Sequence, residues 1–343
     1  MTLRSLIAAL ALVAGTSGCV STAEHLPAAA FDAPATGAAT PWTHARFDDK
    51  PGKFTFAVHS DLTGGERDGV FAVAIAQLNL LRPEFIINVG DLIEGSTDEA
   101  EVDRQWDAYD ARVRKARAPV FYVAGNHDRV GAMMQAVWDR RLGPGYYHFR
   151  YKDALFLVLD TEDNTPERTR EIFEMREYAL QFARSKEWDR FRETPYATMP
   201  ENLAGNITDA QSRYMIDAIN AHSDVRHTFL FTHKAPWLRE DLSAFAAIEA
   251  ALAGRPYTLF HGHEHSYRHE RRNGGDYIRL ATTGGVQLPD GGRSMDHVTL
   301  VTVDDDGVSI ANVLLDGILD KTGNIPLDGD RLCFETARCA PSE

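Results

Sequence analysis

Cysteine occurs only three times in 343 residues, at positions 19, 333 and 339, and no two of them form the C-x-x-C spacing of a redox or zinc motif. Positive charge is also scarce: 36 lysines and arginines face 50 aspartates and glutamates, a formal net charge of −14. That balance argues against nucleic-acid or anionic-membrane binding through bulk electrostatics. An anionic substrate would need a local source of positive charge, which bound metal ions could supply. Beyond the first residues no apolar run is long enough for a membrane helix. There is no G-x-S-x-G elbow, no P-loop and no H-E-x-x-H, so the common serine-hydrolase, nucleotide-cradling and zincin chemistries have no foothold. Internal repeats are absent as well.

The chain opens "MTLRSLIAALALVAGTSGCV". Arg4 precedes an apolar run from Leu6 to Ala14 and then small residues, which reads as an export signal over residues 1–18. Gly18-Cys19 further suggests a lipoprotein signal, with Cys19 as the lipidated first residue of an outer-membrane-anchored periplasmic protein. Thr16 stands where such signals usually carry Leu, so simple cleavage is the alternative. Residues 19–50, rich in Ala, Pro, Thr and Ser, read as a tether. The pair Cys333 and Cys339, in an exported chain, is expected to form a disulfide that pins a tail over 321–343.

Between these ends, over 51–320, short apolar runs alternate with helix-like segments: "FTFAVHSD", "EFIINVGD", "PVFYVAGNHD", "ALFLVLDTED", "HTFLFTHKAP" and "YTLFHGHEH". Each run stops abruptly in polar residues. "GVFAVAIAQLNLLRP" and "DEAEVDRQWDAYDARVRKAR" read as helices between the first three, and the alternation predicts an α/β architecture with functional groups where strands end. Past Gly274 the pattern becomes antiparallel. "DDDG" at 304–307 reads as a hairpin turn, since Leu315 stands where a calcium loop needs Glu. Residues 162–205 break the alternation: Ile172, Met175, Ala179 and Phe182 recur at helical spacing, which favours an inserted helix packed on the domain over a substrate lid.

The strand ends present, in order, Asp61, Gly90-Asp91, "GNHD" at 125–128, His233, and "GHEH" at 262–265. Carboxylate, amide and imidazole donors in this mixture suit Mn, Fe or Zn. Five ordered blocks make a specific signal, and the set resembles the calcineurin-like metallophosphoesterase superfamily over roughly 54–317. The resemblance implies a four-layer α/β/β/α sandwich of two mixed β-sheets flanked by helices. It implies two divalent or trivalent transition-metal ions, with Asp91 bridging them. Asn126, His233 and His263 would complete one shell, and Asp61 and His265 would serve the other. A metal-bridging hydroxide would attack a phosphate mono- or diester, and His127, oriented by Asp128, would contact the phosphate and protonate the leaving oxygen. The other histidines, His59 among them, read as structural.

The first block departs from the family's Asp-x-His, because it is Asp61-Leu62-Thr63. With the Gly-Gly that follows, the block resembles a variant branch of the family that carries Asp-x-Thr. Glu94, three residues after Asp91 where purple acid phosphatases use a tyrosine, could supply the missing ligand. Alternatively the first site is open and labile, or it has degenerated to one metal. Thr63, Asn126 and Arg67, in the "TGGER" that follows Asp61, are the expected phosphate-binding groups, although Arg67 equally reads as a solvated residue after a turn. The competing function is a non-catalytic metal- or partner-binding module.

Overall fold

The computed structural model describes residues 31–339, except 35, 46–52, 240, 242 and 289–292. The expected signal sequence and Cys19 lie outside the described residues. Twelve strands are present among those described: β1 Phe31–Asp32, β2 Phe54–His59, β3 Phe85–Asn88, β4 Val120–Phe121, β5 Tyr147–Tyr151, β6 Ala154–Val158, β7 His227–Phe231, β8 Tyr257–His261, β9 Arg268–Arg272, β10 Gly275–Arg279, β11 His297–Asp304 and β12 Gly307–Leu314. They form two mixed sheets. A seven-stranded sheet runs β1-β5-β6-β7-β8-β10-β9, and a five-stranded sheet runs β12-β11-β2-β3-β4. β2-β3-β4 pair in parallel at one side of the five-stranded sheet and β6-β7-β8-β10 pair in parallel within the seven-stranded sheet, and the remaining pairings are antiparallel.

Alternation along β2 explains the layering. Phe54, Phe56 and Val58 point into an aromatic core between the sheets, where they meet Phe85, Phe121, Phe149, Phe156, Phe229 and Phe231. Ala57 points the other way, toward α1 (Val70–Leu81), α2 (Glu99–Val113) and α3 (Gly131–Leu142). Side chains two apart share a strand face, so one strand serves both cores. The seven-stranded sheet is covered in turn by α7 (Asp209–Ala221) and α8 (Ser243–Ala251). The result is a sandwich of two sheets flanked by helices, as the resemblance implied. Helix starts follow local chemistry: the Asp98 carboxylate accepts from the Ala100 N–H at α2, and the Thr208 hydroxyl accepts from the Gln211 N–H at α7.

Residues 162–205 form α4 (Pro166–Arg184), α5 (Trp188–Arg192), a short 3-10 turn and α6 (Pro200–Ala204). The insert has its own small core of Ile172, Ala179, Tyr196 and Met199. Its two ends meet in a parallel bridge between Glu162 and Asn206, so it leaves the domain through a narrow neck. Other expectations needed adjustment. Part of the stretch read as tether is built into the fold: β1 pairs with β5, and the Trp42 ring packs on Phe31 at 5.3 Å and on Phe121 at 6.0 Å. Two large aromatics in an otherwise Ala/Pro-rich segment bury too much apolar surface to stay in water. The Asp304–Gly307 hairpin and the Cys333–Cys339 disulfide are both present. Among the described residues, no helix is long and apolar enough to cross a membrane.

Candidate metal centre

The carboxyl ends of β2, β3 and β4 in one sheet face those of β7 and β8 in the other, and the ordered motif residues sit just beyond them. Asp61, Asp91 and His265 form one group, and Asp91, His233 and His263 form a second; within each, ligand atoms lie within 4.8 Å of one another. Asp91 is common to both. Asn126 joins the second group, with its Oδ1 3.1 Å from His233 Nε2. Asp91, His263 and His265 hold left-handed backbone conformations, with φ of 57°, 74° and 52°. Such φ values are costly for side-chain-bearing residues and persist where surrounding structure imposes them.

The glycines that precede the ligands have a steric reason. A Cβ on Gly125 would fall on the Asp91 carboxylate, and one on Gly262 would fall on the Asp61 carboxylate. Only glycine lets these backbones approach so closely.

Every histidine in the cluster has one ring nitrogen on a main-chain carbonyl. His233 Nδ1 lies 2.9 Å from the Val89 carbonyl, His263 Nε2 lies 2.9 Å from that of Asn202, and His265 Nδ1 lies 2.5 Å from that of Val286. Each contact fixes ring orientation and commits the contacting nitrogen's proton to a carbonyl, so the second nitrogen, once deprotonated, is the one that can ligate, the arrangement metal-ligating histidines adopt. His233 Nε2 is 3.2 Å from Asp91 Oδ2, and His265 Nε2 is 3.3 Å from Asp61 Oδ1.

The electrostatics favour cations. Burial disfavours a charged His233, yet Asp91 and Asp61 raise it to about 9. Burial likewise opposes ionised Asp61 and Asp91, but His265 beside the first and His233 beside the second hold both below the usual carboxylate range. His263, buried and close to His233 and Lys234, is pushed well down and stays neutral. The protons that Asp91 and Asp61 draw onto His233 and His265 stand where a cation would: a metal bound there would displace them and balance the same two buried carboxylates, with His263 already neutral. Oxygen and nitrogen donors of this kind fit Mn, Fe or Zn.

Several residues expected in the site do something else. Arg67 does not face the cluster. Its Nη2 lies 2.6 and 2.7 Å from the carboxylate oxygens of buried Asp296, and its other donors reach the Gly285 and Cys333 carbonyls. The Thr63 hydroxyl, fully buried, donates to the Asp91 carbonyl at 3.2 Å. Glu94 is outside both ligand groups: its carboxylate accepts from the N–H groups of Gly64, Gly65 and Glu66 at 2.9–3.2 Å. Successive N–H groups converging on one carboxylate make a local anion nest, and Glu94 fills it.

Asp128 does not orient the His127 ring either. It accepts from the N–H groups of Asp91, Leu92, Ile93 and Gly125 at 2.7–3.1 Å, so it shapes the Asp91 loop. Burial and neighbouring Asp91 push its carboxyl up to about 7, against the pull of those donors. The His127 ring is oriented instead by the Glu94 carbonyl, 2.9 Å from Nδ1, while the His127 N–H donates to Asp91 Oδ1. His59 turns away and packs its ring on Phe71 at 5.2 Å. The carbonyls of Val89, Asn202 and Val286 escaped sequence reasoning because a main-chain oxygen has no letter of its own. Lys234 carried a sign, a lysine directly after a ligand histidine: it is buried with Nζ 2.6 Å from Glu162 and 2.9 Å from the Glu201 carbonyl.

The family profile for calcineurin-like phosphoesterases matches residues 54–286. The chain belongs to the calcineurin-like phosphoesterase family, whose members are metal-dependent. Among solved structures it is similar to purple acid phosphatase PPD1 from yellow lupin (Lupinus luteus) seeds, at 12% identity and a TM-score of 0.53. That match covers 79% of this chain and 53% of the lupin chain, so this chain spans about half of that protein. Further similarities are to a putative 5'-nucleotidase from Staphylococcus aureus (17% identity, 81% and 57% coverage, TM-score 0.44) and to GAP50 of Plasmodium (13%, 80% and 87%, 0.45). No curated protein sequence matches. At these identities the likeness concerns the fold.

Proposed function

We propose that the protein is an exported hydrolase of phosphate mono- or diesters that works with two transition-metal ions. The observation that carries this reading is the set of three histidines, each fixed by a carbonyl on one ring nitrogen: His233 and His265 turn the other toward Asp91 and Asp61, and His263 has a ring nitrogen within 4.8 Å of the Asp91 and His233 ligand atoms. Asp91, Asn126, His233 and His263 would hold one ion, and Asp61, Asp91 and His265 the other. Bound there, such ions polarise phosphoryl oxygens and lower the pKa of water. Thr63, Glu94 and Arg67 support the loop beside the site and do not ligate. His127 donates through Nδ1 to the Glu94 carbonyl; as the imidazolium it would carry a second proton on Nε2, which would pass to a departing alkoxide and leave the ring neutral.

Export accounts for the leader and for the Cys333–Cys339 disulfide, which forms in an oxidising compartment such as the periplasm. Lipidation at Cys19 would anchor the domain to a membrane. Both points are tested by fractionating cells that express the full chain and by mass analysis of its N-terminus. For the activity, protein reconstituted with Mn, Fe or Zn should release phosphate or alcohol from simple esters, and His263→Ala should lose metal and turnover together. Undiminished hydrolysis by His263→Ala would refute the assignment.

A further inference from the structure

Beside His263 the surface opens into a cleft of about 530 Å³ whose lining includes Pro200, Leu203 and Ala204 of α6, Leu238, and His263 itself. Leu203 and Leu238 are 55% and 60% exposed, so neither leucine is holding the fold together from that position. The charged residues at its edge are spoken for. Arg239 pairs with Asp241 at 2.7 Å and donates to the Gly205 carbonyl at 3.0 Å, while Glu264 pairs with Arg279. Exposed apolar side chains converging on a cleft mark a binding surface. The cleft starts at a candidate metal ligand, so one molecule can reach both the cleft and the metal centre.

We propose that this cleft receives the ester group of the substrate and that the group is apolar, a benzyl-sized aryl or branched alkyl alcohol esterified to phosphate. The inference rests on the phosphoesterase reading of the site. With the phosphoryl group at the ion that Asp91 and His263 would hold, an ester substituent directed to the His263 side enters between Leu203 and Leu238, while the oxygen joining it to phosphorus stays at the centre, where His127 would protonate it. A second phosphate or a carboxylate would find no free cation among the lining residues, since Arg239 is neutralised by Asp241. Insert and specificity are thereby linked: α6 supplies both the carbonyl that orients His263 and the apolar wall beside it.

The test compares benzyl with methyl phosphates, as monoesters and as diesters with methanol, because the two departing alcohols have similar acidity and differ mainly in apolar surface. With Mn-reconstituted protein, kcat/KM should favour benzyl by about tenfold or more, on the scale of burying one ring. Leu203→Ser and Leu238→Ser, both at exposed positions, should each cut that ratio by about threefold or more. In parallel, calorimetry should give benzylphosphonate an affinity about tenfold above that of methylphosphonate, independent of turnover. Hydrolysis with a benzyl-to-methyl ratio within twofold, or a ratio that neither serine variant changes, overturns the cleft assignment. Absence of any hydrolysis with the phosphonate preference retained overturns the phosphoesterase reading and leaves the cleft standing.

Discussion

His263 Nε2 lies 2.9 Å from the main-chain carbonyl of Asn202, so a short helix of the 162–205 insert completes the hydrogen bonding of a candidate metal ligand. The helical spacing in the insert is legible in the sequence. Its position over the site is not, because it depends on how a neck at Glu162 and Asn206 aims the chain. Replacing 163–205 with a short Gly-Ser linker across that neck should weaken the ion held by His263 by about 10- to 100-fold, the usual effect of losing such a partner. The ion at Asp61 and His265 should be retained. Titration of metal into the apo protein reads both sites, and equal affinities before and after deletion would contradict the role given to Asn202.

Lys234 pins the insert from below, with its ammonium between Glu162 and the Glu201 carbonyl. Both charged side chains are almost fully buried, at 2% and 4% exposure. Lys234→Met should therefore destabilise the protein by about 3–5 kcal/mol by stranding Glu162, and the double variant with Glu162→Leu should recover most of that. Urea denaturation measures it; an additive double variant would mean the pair is not coupled.

His127→Ala should keep the metal content and lower turnover, by about 100-fold or more for alkyl esters and far less for esters of acidic phenols. A leaving-group series gives the result directly. Equal losses across the series would remove His127 from the proton-transfer role.

The Arg67–Asp296 pair decides between two readings of the "TGGER" segment. Asp296 is fully buried, so Arg67→Ala should cost about 3–5 kcal/mol of stability. Once the variant is folded at low temperature its KM should stay near that of the parent. A large rise in KM with little loss of stability would return Arg67 to phosphate binding.

How much could be read beforehand follows from which interactions are local. The strand runs, the order of the motif blocks and the helical spacing of the insert all reside in contiguous letters, and the two sheets flanked by helices that the runs predicted are present in the structure. Arg67, Glu94 and Asp128 were misplaced for one reason. All three have side chains that can meet either a ligand or a main-chain group, and only the folded loop says which. Phe31 and Trp42 were overlooked because Ala and Pro around them dominate the composition of the segment, while burial of two aromatic rings decides its fate.

Acid sensitivity should also arise from a buried histidine outside the ligand set. His297 is buried, its Nε2 accepts from the Ala281 N–H at 3.0 Å, and burial lowers it from 6.5 to about 4, with Arg293 adding to the effect. A lowered folded value means the unfolded chain binds the proton more readily. The contribution is full above about 6.5 and is lost as pH falls toward 4, on the order of 3 kcal/mol. Denaturation between pH 4 and 7 should show this slope together with those of His59, His148, His227 and His261, which are lowered in the same way, and His297→Asn should reduce it by one histidine's share. An unchanged slope would assign the acid loss to other groups.

Elemental analysis of mature protein, reconstituted with excess Mn, Fe or Zn and then desalted, tests the metal centre most directly. Two ions per chain are expected, with the one at Asp61, Asp91 and His265 leaving first on dilution into chelator, because it lacks the fourth donor that Asn126 gives its neighbour. One ion or none under every condition would contradict the dinuclear account.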